Sequence, residues 1–246
     1  GGLCPGLNNV IRELVMMLYA YGVKKVYGIK GGFKGVVNPQ CWMTLTPENV
    51  QDIHLQGGSI LVSDRGNPPH LEMAKMLKKK GVRQHFVLGG DGTQKGAHQT
   101  YDKMQEIGWE CAVVGIPKTI DNDINLLDRS FGFDTAMSEA LKAIEVAYVE
   151  ATCNANCIGL VKLMGRHCGY LTMMSVLAAR NVDICLLPEM DINLDKVLDH
   201  CVELVSTAGN AVVVVAEGCG DTLMQSAGGT DEGGNKKISD VGPWLK

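Results

Sequence analysis

A chain of 246 residues that is 46% hydrophobic and 20% charged has ample apolar sequence for a buried core, which excludes a disordered or fibrous protein. Its net charge of -4 comes with no basic stripe to neutralise a phosphate backbone, and no apolar run approaches the roughly 20 residues that span a bilayer, so nucleic-acid and membrane partners are set aside. Nine cysteines, an odd set with no CxxC pair, argue against a disulfide framework or a zinc site and for reduced thiols in an intracellular, cytoplasmic protein.

The chain begins at Gly1 inside a glycine motif, without a methionine or a preceding strand, and so reads as a piece of a longer protein. Its periodicity predicts a helix over 8–21, a strand over 26–29, a helix over 71–80, a strand over 85–88, a helix over 93–107 and a strand over 112–116. A long amphipathic segment over 134–151 then carries the chain from one sheet to another, which places a domain boundary near Phe133. Beyond it come a strand over 158–163, a helix over 170–181, a strand over 184–187, a helix over 194–207 and a strand over 211–215. From Asp221 the sequence turns to glycine and polar residues and reads as a mobile loop. Alternation of short apolar strands with amphipathic helices is the mark of a parallel sheet covered by helices, in which ligands gather at the carboxyl ends of the strands.

Those ends carry the chemistry. In "GGDGTQKGA", Gly89 and Gly90 remove side chains where a polyphosphate would approach the backbone, and the following helix points its free N–H groups at the same place. Asp91 in that turn would repel a phosphate unless a cation such as Mg2+ lay between them; the rival reading is a surface turn whose aspartate caps the helix. In "PKTIDND", Asp121 and Asp123 would point to one side of an extended segment, suited to accepting a proton from an alcohol during phosphoryl transfer; the rival is an Asx-rich turn made for local hydrogen bonds. Arg65, Lys118 and Arg166 are candidate cations for the phosphates, and Glu217 closes a strand where it could accept hydrogen bonds from sugar hydroxyls. The twelve methionines read as core filler.

Taken together, "GG..PGLNNVIR" (1–12), "GGS......RG" (57–66), "GGDGT" (89–93), "PKTIDND" (117–123), "FGFDTA" (131–136), "KLMGRHCGYL" (162–171), "PE" (188–189) and "AEG" (216–218) closely resemble the 6-phosphofructokinase family. The resemblance implies an α/β fold of two Rossmann-like parallel-sheet domains with helices on both faces: a nucleotide-binding domain over 1–133 and a sugar-phosphate domain over 134–246, its C-terminal part missing. It implies transfer of the γ-phosphoryl group of ATP to the 1-hydroxyl of fructose 6-phosphate, by a homo-oligomer, dimer or tetramer. By it Gly1, Arg65, Gly66, Gly90, Asp91, Gly92 and Thr93 would bind the nucleotide, with Asp91 on Mg2+. Thr119, Ile120, Asp121, Met164, Gly165, Arg166 and Glu217 would meet the sugar phosphate, with Asp121 as base and Lys118 and Arg166 balancing charge.

Glycine at position 92 goes with ATP in that family, whereas pyrophosphate users carry an aspartate there; lysine at position 118 is usual in the pyrophosphate users. The combination resembles the ATP-dependent branch of plants and several protists. A pyrophosphate-dependent enzyme and a noncatalytic nucleotide-binding regulatory subunit are the alternatives. Two departures stand out: Cys157 replaces an arginine of bacterial members, and the histidine- and arginine-rich segment that grips the 6-phosphate is absent from this chain.

Overall fold

The computed structural model describes residues 2–224, 229 and 238–246; Gly1 and most of the polar loop expected after Asp221 lie outside them. The chain forms two compact units, the first ending at Thr119 and the second beginning at Ile120. That division comes earlier than the boundary read near Phe133 and passes through "PKTIDND" itself.

The first unit runs α1 (Leu7–Ala20), β1 (Val26–Ile29), α2 (Gly32–Val36), β2 (Trp42–Leu45), α3 (Pro47–Val50), α4 (His70–Lys79), β3 (Gln84–Gly89), α5 (Asp91–Glu106) and β4 (Ala112–Pro117). β3 and β4 are parallel, with His85 opposite Val113 and Leu88 opposite Ile116. Parallel neighbours need a long crossover, and α5 supplies it. Met73, Ala74 and Leu77 of α4 and Met104 of α5 form a buried cluster with Val36 and Cys111. One sequence expectation is corrected here: Val26–Ile29 is a strand, but not of the parallel set. Gly31 and Gly32, at φ 78° and 59°, turn the chain just after it, and β1 pairs antiparallel with β2. Those φ values are open to glycine and costly for other residues.

The second unit runs α6 (Phe133–Cys153), β5 (Cys157–Leu163), α7 (Tyr170–Ala179), β6 (Ile184–Leu186), α8 (Leu194–Ala208), β7 (Asn210–Ala216), α9 (Cys219–Leu223) and α10 (Val241–Leu245). Its sheet has the order β5–β7–β6, all parallel. The run "AVVVVA" makes β7 the central strand, with every residue from Ala211 to Ala216 buried. A strand covered on both faces needs such a continuous apolar run. Its period of two sorts the valines: Val212 and Val214 pack with Ala140, Ile144 and Ala151 of α6, while Val213 and Val215 pack with Cys201 of α8. Burying each valine contributes about 1.5–3 kcal/mol, so this strand anchors the unit.

Candidate functional site

α5 begins at Asp91, two residues before the expected start, with Gly90 as its extended N-cap at φ -82° and ψ -167°. Asp91 and Gly92 therefore occupy the exposed first turn, where backbone N–H groups have no intrahelical acceptor and the helix dipole favours an anion. The two glycines before them serve different ends. A side chain at Gly89 would run into the side chain of Thr93, so packing demands glycine there. A Cβ at Gly90 would lie 3.6 Å from the Lys118 carbonyl, an ordinary contact, so the chain itself does not require glycine. Close approach of a ligand to the backbone would. Lys118 is fixed beside this turn, since its N–H donates to the Gly89 carbonyl at 3.0 Å.

A second loop meets the same helix. Asp64 accepts the Arg65 N–H at 2.7 Å and pairs with Lys34 at 3.0 Å, and these two contacts hold its carboxyl below the usual carboxylate range, the lysine contributing most. Gly66 follows at φ 104°, which requires glycine. A Cβ on Gly96, one turn into α5, would come within 3.4 Å of the Asn67 Nδ2, so the Arg65–Gly66 loop and α5 lie against each other. The first unit thus carries Gly90, Asp91, Gly92 and Thr93 beside Lys118, and Arg65 and Gly66 on a loop that meets α5 at Gly96 through Asn67. Gly1 lies outside the described residues.

In the second unit two turns interlock at the ends of neighbouring strands. β5 and β7 finish together at Leu163 and Ala216. The Glu217 N–H donates to the Leu163 carbonyl at 2.8 Å, and the Gly218 N–H donates to the Gly165 carbonyl at 2.9 Å. Gly165 itself sits at φ 134°, and a side chain on Gly218 would strike the Arg166 carbonyl. Two glycines thereby bring Arg166 and Glu217 to adjacent strand ends, both partly exposed. Met164 is 62% exposed at the same edge. The reading of every methionine as core filler fails for it, although Met73 and Met104 are fully buried.

The acids of "PKTIDND" reach this region by a route other than the one expected. Asn122 adopts φ 54°, so the segment is not extended and simple alternation does not decide where its neighbours point. Its side chain accepts the Ser130 N–H at 2.6 Å and donates to the Asp128 carbonyl at 3.1 Å, closing a wider loop than the local Asx turn of the rival reading, whose bonds reach only about two residues on. Asp121 and Asp123 are nonetheless near enough to the "MGRHCG" loop to act on it through their charge. Burial pushes the Cys168 thiol up, and the carboxylates of Glu189, Asp123 and Asp121 push it further. Glu189 also accepts the Gly169 N–H at 2.7 Å, which fixes the start of α7. Cys168 therefore stays a neutral thiol among carboxylates.

Among the described residues no group of three or more His, Cys, Asp or Glu side chains is placed to hold a metal ion alone. Asp91 fits the other mode, in which one exposed carboxylate shares Mg2+ with phosphate oxygens and water. Sequence reasoning missed one further participant, Gln94. Its carboxamide nitrogen lies 3.0 Å from the Gly89 carbonyl, 3.2 Å from that of Ile116 and 3.4 Å from that of Val87. The available signal was Gly115, a glycine inside an apolar strand, where such residues mark a close approach.

A model of the family described as phosphofructokinase matches residues 1–241. The chain is 45% identical over its whole length to the chloroplastic ATP-dependent 6-phosphofructokinase 5 of Arabidopsis thaliana, covering 47% of that protein. It is 44% identical over its whole length to the ATP-dependent 6-phosphofructokinase of Amycolatopsis methanolica, covering 56% of it. The chain thus spans about half the length of these curated relatives. A solved phosphofructokinase from Saccharomyces cerevisiae superposes on 89% of the chain with a TM-score of 0.78 at 24% identity, covering 33% of that structure and showing likeness of fold.

Proposed function

This chain belongs to the phosphofructokinase family, and from that premise we propose that the full-length protein transfers the γ-phosphoryl group of ATP to the 1-hydroxyl of fructose 6-phosphate. The observation that carries the reading is where the chemistry falls. Gly90 to Thr93 follow β3, Lys118 to Asp121 follow β4, Gly165 and Arg166 follow β5, and Glu217 follows β7. Carboxyl ends of parallel strands are where α/β sheets bind ligands, and the groups there match what phosphoryl transfer needs.

In this reading the first unit holds the donor. The exposed first turn of α5, the Arg65–Gly66 loop and Lys118 receive the polyphosphate, and Asp91 holds Mg2+, which when bound neutralises phosphate charge. Gly92 leaves open the space beside the α-phosphate that an aspartate would fill, which supports ATP over pyrophosphate. Thr119 and the second unit hold the acceptor: Ile120, Met164, Gly165, Arg166 and Glu217 position the sugar, and Asp121 takes the proton of the 1-hydroxyl as it attacks. Arg166 and Lys118 balance charge that shifts during transfer. Positioning and electrostatics supply most of the rate, because this transition state needs little covalent help. A cytoplasmic homo-oligomer, dimer or tetramer, completes the reading; nine free cysteines fit a reducing compartment.

Asp121→Asn in the full-length protein tests the assignment. The account expects kcat to fall by about 10²–10⁴-fold while titration with MgATP gives an affinity close to the parent's. Near-normal turnover would remove Asp121 as the base. Binding of MgATP by a parent that shows no turnover would point instead to a noncatalytic nucleotide-binding subunit.

A further inference from the structure

Gln94 stands on the second turn of α5, and its carboxamide is surrounded on one side by three main-chain carbonyls of two parallel strands. Val87 and Gly89 belong to β3 and Ile116 to β4. Only the nitrogen end of the amide can face three acceptors, so the orientation of the group is set by its surroundings. The oxygen end lies over the α-carbon of Gly115 so closely that any side chain at position 115 would overlap it. The Gly89 carbonyl receives two donors, the Gln94 amide at 3.0 Å and the Lys118 N–H at 3.0 Å. Both of its lone pairs are thereby used.

We infer that Gln94 is a positioning residue: its carboxamide staples the end of β3 to the end of β4 and so fixes the Gly90–Thr93 turn against the Pro117–Thr119 arm. The inference rests on the functional reading above, in which the turn receives the donor phosphates and the arm carries Lys118. Gly115 is the partner in this device, because its bare α-carbon is the floor on which the carboxamide lies. Neither residue touches a reactant; both act by holding the Gly89 carbonyl and the Lys118 backbone in register. A glutamine is suited to the task, since its side chain donates two N–H groups without adding charge beside the phosphates.

The test is a set of full-length variants: Gln94→Leu, which keeps the bulk and removes the donors, Gly115→Ala, which displaces the carboxamide, and the double variant. Each is measured by steady-state kinetics and by amide hydrogen exchange. The inference expects kcat to fall roughly 10- to 100-fold in Gln94→Leu, the scale of a small misplacement of reacting groups, with KM for ATP nearly unchanged. It expects Gly115→Ala to give a similar loss and the double variant to be no worse than either single one, because both break one device. Exchange at the Ile116 and Lys118 amides should quicken in all three while the middle of β3 stays protected. A folded Gln94→Leu protein with parental kcat, or losses that multiply in the double variant, would overturn the inference. A parent without turnover on ATP and fructose 6-phosphate would refute the functional reading instead; exchange would then decide the staple alone, and unchanged protection of the Ile116 and Lys118 amides would refute it.

Discussion

His85 is an ionisable side chain placed where water does not reach. It lies on the buried face of β3, its Nε2 has no hydrogen-bond partner among the described residues, and burial lowers its pKa from 6.5 to about 4. The sign of the consequence follows from which state binds the proton. Near pH 7 the ring is neutral both folded and unfolded; as pH falls through 6.5 the unfolded chain takes up a proton that the folded chain refuses until about pH 4. Stability held at neutral pH is therefore lost across that window, by about 3 kcal/mol from this group. Urea midpoints of the full-length protein and of His85→Leu, compared at several pH values between 7 and 4, check this. The variant should show a flatter decline, and parallel declines would mean that His85 carries none of the acid sensitivity. Asp91 is the opposite case at the same scale: an exposed carboxylate at a helix start, stabilised by the dipole and open to a cation.

At the scale of the elements, the glycines divide into those the fold needs and those it does not, and the two kinds fail differently. Gly165 at φ 134° is enclosed, with a Cβ there meeting the Cys168 carbonyl at 2.5 Å. Gly90 is extended and has room for a Cβ. Gly165→Ala should cost about 1–3 kcal/mol of stability and raise KM for fructose 6-phosphate more than KM for ATP. Gly90→Ala should leave the unfolding midpoint near the parent's while weakening ATP binding. Equal midpoints for the two variants would break the distinction. The strands other than β2, and the long helices, were legible in the sequence because each carries a local signal: the continuous apolar run "AVVVVA" for β7 and the amphipathic period for α6. Three features were not. The pairing of β1 with β2 depends on a turn at Gly31 and Gly32 whose direction no periodicity encodes. The path of Asp121 and Asp123 depends on the left-handed Asn122, which an argument from alternation cannot see. The Gln94 contacts depend on the distance between two strands, a non-local quantity of which Gly115 was the only visible trace.

At the scale of the whole molecule, the candidate groups fall into two sets, one on each compact unit, and the division passes through "PKTIDND" between Thr119 and Ile120. Lys118 and Thr119 belong to the unit that carries the glycine turn, and Asp121 to the unit that carries Arg166 and Glu217. In the proposed reading this single motif would supply a cation to the donor side and a base to the acceptor side, which would account for so dense a run of charged and polar residues in seven positions. The family is established over nearly the whole chain, whereas the donor rests on Gly92 and on the ATP-dependent relatives. The most direct measurement is therefore the turnover of fructose 6-phosphate by the full-length protein, with MgATP and with pyrophosphate assayed side by side. The account predicts formation of fructose 1,6-bisphosphate with MgATP and little or none with pyrophosphate; faster turnover with pyrophosphate, or none with MgATP, would contradict it.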